Sequence, residues 1–213
     1  MISEAVNWVC IRPMTPKDIS TVYKIDRETM TSEVSTYWIK NSRKMFPDLS
    51  YVAVDGRGSD SVIGYILGSE RPRIGYEYGE GELIGFVSRM AVLPKYRKHG
   101  VGTMLMEALE YAFVTYHRRQ MSMLSLRKTN ETAKKFYEGL GYTHVDAFDA
   151  PGAYEWGEGE EEKYLMYMMK DIRPERAFDF NTCAFIEEEL GVPKRRRVIR
   201  KVKKSYQRLK NLL

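Results

Sequence analysis

The stretch that decides the fold is Arg97-Lys98-His99-Gly100-Val101-Gly102-Thr103. It joins an apolar run, Phe86-Val87-Ser88-Arg89-Met90-Ala91-Val92, to a helix-like run from Met104 to Tyr116. A strand that feeds two closely spaced glycines and then a helix gathers backbone N–H groups at the positive end of that helix. Such an arrangement seats a phosphate. Glycine lets the main chain approach an anion with no Cβ in the way. Arg97, Lys98 and His99 add positive charge at the same place.

Two familiar phosphate loops are excluded. A dinucleotide fingerprint needs a third glycine, but Gly100-Val101-Gly102-Thr103-Met104-Leu105 ends in leucine. A P-loop needs Gly-Lys-Ser/Thr after an earlier glycine, and that is absent as well.

A second segment, Ser125-Leu126-Arg127-Lys128-Thr129-Asn130-Glu131-Thr132-Ala133-Lys134-Lys135-Phe136-Tyr137-Glu138-Gly139-Leu140-Gly141-Tyr142, reads as a strand end, a capped helix, a glycine stop and a new strand. Thr129 or Asn130 caps the helix, and Gly139 or Gly141 ends it.

The string Met90-Ala91-Val92-Leu93-Pro94-Lys95-Tyr96-Arg97-Lys98-His99-Gly100-Val101-Gly102 closely resembles the acyl-CoA pyrophosphate loop of the GNAT acyltransferases, Arg/Gln-x-x-Gly-x-Gly/Ala. The spacing Asn130, Ala133, Tyr137, Gly141-Tyr142 is similar to the second cofactor motif of that superfamily. Within it, the nearest likeness is to protein N-terminal acetyltransferases of the RimI and Ard1 kind. The resemblance covers roughly residues 8–170. It implies an α/β fold with a mixed, mostly antiparallel central sheet flanked by helices. The domain is expected over 1–171, with a helical, basic extension over 172–213.

The rest of the chain reads consistently with this order. Val9–Arg12 is a strand, and a helix carrying Ile19, Val22, Tyr23 and Ile25 on one face follows. After a polar break at Thr31–Ser35 comes a helix from Tyr37 to Met45, then strands at Leu49–Val54 and Val62–Leu67 around the turn Asp55–Gly58. A Gly-, Tyr- and Glu-rich loop from Glu70 to Gly81 precedes the long strand to Val92. The helix after the phosphate loop should bury Val101, Leu105, Ala108, Leu109, Ala112 and Tyr116. Met121–Leu126 is a strand, and Tyr164–Met169 is the last one.

Composition narrows the functional classes. With 43% hydrophobic and 12% aromatic residues in 213, the chain can bury a sizeable core. No apolar run reaches the roughly 18 residues of a membrane span. Met1-Ile2-Ser3-Glu4-Ala5 lacks the features of a signal peptide, so a cytoplasmic location is expected. Cys10 and Cys183 make no disulfide framework, and 3 histidines suggest no metal site. The net charge of +5 is uneven. Residues 194–213 hold ten Lys/Arg and no acids; 34 less those ten leaves 24 basic against 29 acidic residues elsewhere. Val198, Val202, Tyr206, Leu209 and Leu213 recur there at helical spacing, which gives a basic amphipathic tail.

The resemblance implies acetyl-CoA as cofactor. It assigns the grip to the backbone of Met90, Ala91 and Val92, to Arg97, Lys98, His99, Gly100, Val101, Gly102 and Thr103, and to Asn130 and Tyr137. It also implies that a backbone N–H near Val92 serves the oxyanion and that Tyr137 is the general acid at the departing sulfur. In relatives a glutamate or histidine base stands where this chain has Ser125, which cannot act as a base at neutral pH but can hold a water. Glu33, in the polar break, and Glu82, at the start of the long strand, are the carboxylates available instead. Phe86 takes a strand position where some relatives carry a base. Tyr154 matches a tyrosine that closes over the substrate peptide, and the loop Tyr154–Glu162 has five carboxylates that would favour a cationic amine.

A missing base favours one substrate class. An α-amine has a pKa of about 7.7–8.0 and is partly neutral at pH 7, whereas a lysine at about 10.4 is not. The expected reaction is therefore direct acetyl transfer to protein N-termini in a ternary complex. A lysine or small-amine acetyltransferase is the first alternative, and a non-enzymatic nucleic-acid adaptor the second. The basic tail suits ribosomal RNA or another polyanion.

Overall fold

A computed structural model describes residues 8–30, 34–58, 60–72, 83–145 and 165–173. All of these belong to the unit Met1–Phe178. Of the expected extension 172–213, only Ile172 and Arg173 are among the described residues.

Among the described residues seven strands form one sheet: β1 (Val9–Pro13), β2 (Ser50–Asp55), β3 (Ser61–Pro72), β4 (Leu83–Val92), β5 (Met121–Arg127), β6 (Thr143–His144) and β7 (Leu165–Asp171), in the order β1-β2-β3-β4-β5-β7-β6. Four helices accompany them: α1 (Ile19–Thr29), α2 (Thr36–Met45), α3 (Val101–Thr115) and α4 (Glu131–Gly139). The pair β4·β5 is parallel and spans α3; the other ladders are antiparallel. This is the mixed, mostly antiparallel α/β arrangement expected from the sequence.

One face of the sheet is built to take α3. A Cβ added at Gly64 would lie 3.4 Å from Leu105, one at Gly68 within 2.6 Å of Leu109, and one at Gly85 within 2.5 Å of the Phe113 ring. The missing side chains let α3 settle close to β3 and β4. There it buries Val101, Leu105, Met106, Ala108, Leu109, Ala112 and Phe113. Tyr116, expected on this buried face, is instead 40% exposed. The helix ends at Thr115, so the apolar periodicity outruns it, and the ring leans edge-on against Tyr111 at 6.2 Å.

The opposite face carries α1 and α2. Val22, Ile25 and Ile39 pack there with Met14, Val52, Val54, Val62, Tyr65, Leu67 and Ala91. Each such side chain, fully buried, contributes on the order of 1.5–3 kcal/mol.

Two features of β4 position the site. Leu67 pairs with Arg89 and Gly68 with Val87, so Ser88 is an extra, bulged residue that bends the strand. Beyond the bulge, β4 and β5 part. Their ladder runs through Gly85–Ser122, Phe86–Met123 and Val87–Leu124 and stops, although β4 continues to Val92 and β5 to Arg127. An open wedge between two parallel strands results, with α3 starting at its head. β3 is longer than expected, continuing past Leu67 to Pro72, and the expected 70–81 loop is described only at its first residues.

Candidate functional site

The wedge is lined on one side by the edge of β4 that has parted from β5. Backbone groups of successive strand residues point to opposite edges. Leu93 donates its N–H to the Ile63 carbonyl at 3.0 Å, so Leu93 and Ala91 face β3, while Met90 and Val92 face the wedge. Arg97 agrees with this polarity: its Nε donates to the Val92 carbonyl at 2.9 Å. Of the three residues expected to offer backbone to a cofactor, Met90 and Val92 are turned the right way. Ala91 is taken up by the ladder opposite Tyr65 and by the core, which removes it from the grip.

At the head of the wedge the loop turns into α3. Gly100 is the residue before the helix and holds φ 77°, a left-handed conformation that glycine adopts without strain. Lys98 also holds a left-handed conformation, φ 64°, uncommon for a residue with a side chain. Met104 is the first residue to reach an intrahelical carbonyl, that of Gly100, at 3.0 Å. The N–H groups of Val101, Gly102 and Thr103 therefore have no acceptor within the helix. Gly100 supplies no capping side chain, and the first turn carries no acid. These outward N–H groups, together with exposed Arg97, Lys98 and His99, fit a diphosphate. Gly102 has a further reason to be glycine: a Cβ there would lie 3.1 Å from the Phe136 ring of α4.

The loop is braced from the β1 side by a stack not foreseen from the sequence. Trp8 lies 5.9 Å from the Tyr96 ring and edge-on to His99 at 6.2 Å. Arg57 covers Trp8 at 3.9 Å and donates to Asp55, which also accepts from the Tyr96 hydroxyl at 3.2 Å. The Arg57 guanidinium holds the Asp55 carboxyl well below the usual carboxylate range.

Asn130 caps α4, its side chain accepting from the Ala133 N–H at 3.1 Å, so Thr129 is not the cap. At the other end Gly141, at φ 87°, donates to the Glu138 carbonyl at 2.9 Å, and Tyr142 donates to the Tyr137 carbonyl at 3.0 Å. This paired closure is a Schellman motif, with Gly141 rather than Gly139 in the left-handed position. It sets Tyr137 against the rings of Phe136 and Tyr142, at 5.1 and 5.8 Å. Burial pushes the Tyr137 phenol above its ordinary pKa, so the hydroxyl keeps its proton through the neutral range. Tyr142 lies deeper. Its hydroxyl donates to Glu110 at 2.9 Å and bonds Ser122 at 2.7 Å, and Lys170 closes on Glu110 at 2.7 Å.

Ser125 is half-buried on β5, paired with Tyr167. Phe86 is buried on β4, with the Arg71 guanidinium 3.6 Å above its ring. Glu33, Glu82 and Tyr154 lie outside the described residues, as does the acidic loop. No cluster of metal-ligating side chains occurs among the described residues. The sequence reading passed over one charged group near the wedge, the pair Asp26–Arg89. Its signal was available: Asp26 follows Val22 by four residues, on the apolar face of α1, where an acid must be buried and paired.

The acetyltransferase (GNAT) domain family matches residues 47–144. An N-acetyltransferase of Methanocaldococcus jannaschii is 34% identical over 149 residues, covering 70% of this chain and 85% of its own. An N-alpha-acetyltransferase of Sulfurisphaera tokodaii is 28% identical over 163 residues, covering 73% and 90%. Among solved structures, Ard1 from Thermoplasma volcanium superposes with a TM-score of 0.60 at 24% identity, over 76% of this chain and 97% of that one. The chain belongs to the GNAT N-acetyltransferases, enzymes whose acyl donor is acetyl-CoA. No helix among the described residues is long and apolar enough to cross a membrane.

Proposed function

We propose that this enzyme acetylates the α-amine of protein N-termini by direct attack within a ternary complex. The observation that carries the reading is the wedge. A strand edge at Met90 and Val92 leads straight to the uncapped start of α3, which suits a long donor bearing amides along its arm and a diphosphate at its far end. When bound, acetyl-CoA supplies a thioester carbonyl carbon for attack by an amine. The residues that would hold it are Met90 and Val92 through their backbone and Arg97 to Thr103 at the diphosphate, with Asn130 shaping the start of α4. The Val92 N–H, on the wedge side of β4, would be the donor to the developing oxyanion, and a fixed donor there typically contributes about 10²–10³ in rate. Tyr137 holds its proton at Oη and delivers it to the departing sulfur.

The acceptor side is consistent with an α-amine. Among the described residues no free carboxylate or imidazole stands where relatives carry a base; Ser125 and Phe86 occupy those places. An amine that is already partly neutral needs little help. Glu33 and Glu82, with any water held by Ser125, are the groups left to take its proton, and Tyr154 the residue to close over the peptide. Names of the relatives support the same substrate class. A cytoplasmic location, beside nascent chains, follows as part of this reading.

Steady-state rates over a panel of N-terminal peptides, ε-amino peptides and spermidine test it. The pH profile of kcat/KM for the accepted peptide should rise and level near pH 8, where an α-amine loses its proton. Activity confined to spermidine or ε-amines, still climbing toward pH 10, would replace this reading with the lysine or polyamine one.

A further inference from the structure

Trp8 directly precedes β1, the terminal strand of the sheet, yet its ring reaches the loop that opens α3. It lies 5.9 Å from the Tyr96 ring and edge-on to His99 at 6.2 Å. The Arg57 guanidinium covers it at 3.9 Å. Arg57 belongs to the turn between β2 and β3. That turn is pinned to Trp8 a second time, Gly56 donating its N–H to the Trp8 carbonyl at 2.8 Å. Asp55 gathers the group, accepting from Arg57 Nε at 2.9 Å and from Arg57 Nη2 at 2.8 Å. It also accepts from the Tyr96 hydroxyl at 3.2 Å, across 41 positions of sequence. Three distant segments thus converge on one side of the loop.

What they grip is short and loosely built. Tyr96 closes a single 3₁₀ turn, its N–H reaching the Leu93 carbonyl at 2.9 Å, and α3 begins at Val101. Between them Arg97, Lys98 and His99 are exposed, and Lys98 and Gly100 hold φ 64° and 77°. Arg97 is tied through its side chain to the Val92 carbonyl, while Tyr96 and His99 both rest on the Trp8 ring. The two contacts on Trp8 therefore bracket Lys98. A loop with glycines at its end loses much backbone freedom on becoming ordered. Ordering it before the ligand arrives removes that loss from the binding step.

Stability is a weak reason for this group. The Arg57 side chain is 56% exposed, and an ion pair with so exposed a partner typically contributes little. Its geometry instead fixes the loop from which Val101, Gly102 and Thr103 present their N–H groups. We infer that Trp8, Asp55, Arg57 and Tyr96 are positioning residues for the acetyl donor, seating Tyr96 and His99 so that the loop holds its phosphate-receiving shape before acetyl-CoA arrives. This rests on residues 97–103 being the diphosphate seat, as read above, and is independent of which amine accepts the acetyl group. The group acts on the diphosphate end of the donor, not on the thioester or the acceptor.

The test measures steady-state kinetics of the full chain with whichever amine wild type acetylates best. Arg57→Gln and Trp8→Ala should raise KM for acetyl-CoA roughly three- to tenfold, the scale of ordering one or two side chains. Trp8→Phe, which keeps a ring, and Tyr96→Phe, which loses only the hydroxyl, should raise it by less. The kcat and the acceptor KM should stay at wild-type values, and kcat/KM for S-acetylpantetheine, a donor with no diphosphate, should not fall. Arg57→Gln changes an exposed side chain and decides the matter if Trp8→Ala does not fold. An acetyl-CoA KM equal to wild type in the folded variants, or equal losses with both donors, overturns the inference. Thr103→Glu tests the seat itself, because an acid in the first turn suits the helix dipole but repels a diphosphate. It should raise acetyl-CoA KM more than any other variant. No rise there overturns the seat and the inference together; a rise there with none in Arg57→Gln and Trp8→Ala overturns the inference alone.

Discussion

In the proposed mechanism Tyr137 is the side chain that hands a proton to the departing sulfur. It is half-buried against the rings of Phe136 and Tyr142, and desolvation raises its pKa, so the hydroxyl carries its proton at neutral pH and would release it only as negative charge builds on the sulfur. Tyr137→Phe should lower kcat by about 10²-fold or more, the usual worth of a placed acid, with the heat of CoA binding unchanged. Equal losses in both would make Tyr137 a packing residue. The phosphate loop was legible at this level because its determinants are local: Gly100 needs a positive φ, and Arg97, Lys98 and His99 sit beside it in sequence. Ala91 was misjudged because strand polarity depends on which neighbour the strand pairs with. Asp26 and Arg89 escaped for a related reason, since nothing within a few residues of either announces the other.

Placement of α3 on the sheet depends on glycines rather than on added contacts. At Gly85 even a methyl group would press into the Phe113 ring at 2.5 Å. Gly85→Ala should cost about 1–3 kcal/mol by overpacking, seen as a lower chemical unfolding midpoint, and Phe113→Leu in the same chain should recover part of it. Recovery fails if the glycine serves only backbone freedom. The helices and most strands were readable from apolar periodicity, and Asn130 from its place before α4. The wedge was not. It exists because the parallel ladder ends at Val87 and Leu124 while both strands go on, and only long-range pairing decides that. Likewise the polar residues Glu70 and Arg71 read as loop, yet they extend β3 opposite Gly85 and Ile84. Tyr116 kept the helical rhythm one residue past the helix end.

The described unit is laced by a buried polar group that links α3, β5 and β7: Glu110, Tyr142, Ser122 and Lys170. Burial raises the Glu110 pKa despite the nearby Lys170 ammonium. A carboxyl raised on folding contributes stability that is fully present below its unfolded value, about 4.3, and fades as pH climbs through the higher folded value. Relative to wild type, Glu110→Gln should therefore gain unfolding free energy as pH rises above about 4.3; a difference that stays constant with pH would show that the Glu110 carboxyl is not raised on folding.

Charge distribution concerns the chain as a whole. The excess of +5 belongs to residues 194–213, and we propose that this tail meets ribosomal RNA or a similar polyanion. If Arg195, Arg196 and Arg197 each contact a phosphate, replacing all three by Gln should reduce the salt slope of RNA binding by roughly 2–3, at about 0.7–0.9 per contact. An unchanged slope would remove them from any phosphate contact.

The most direct test of the account uses one peptide that offers both a free α-amine and an internal lysine, incubated with the full-length enzyme and acetyl-CoA and sequenced by tandem mass spectrometry. The added acetyl group should be found on the first residue. An acetyl group on the lysine side chain alone, or no product from enzyme that binds CoA by calorimetry, would contradict it.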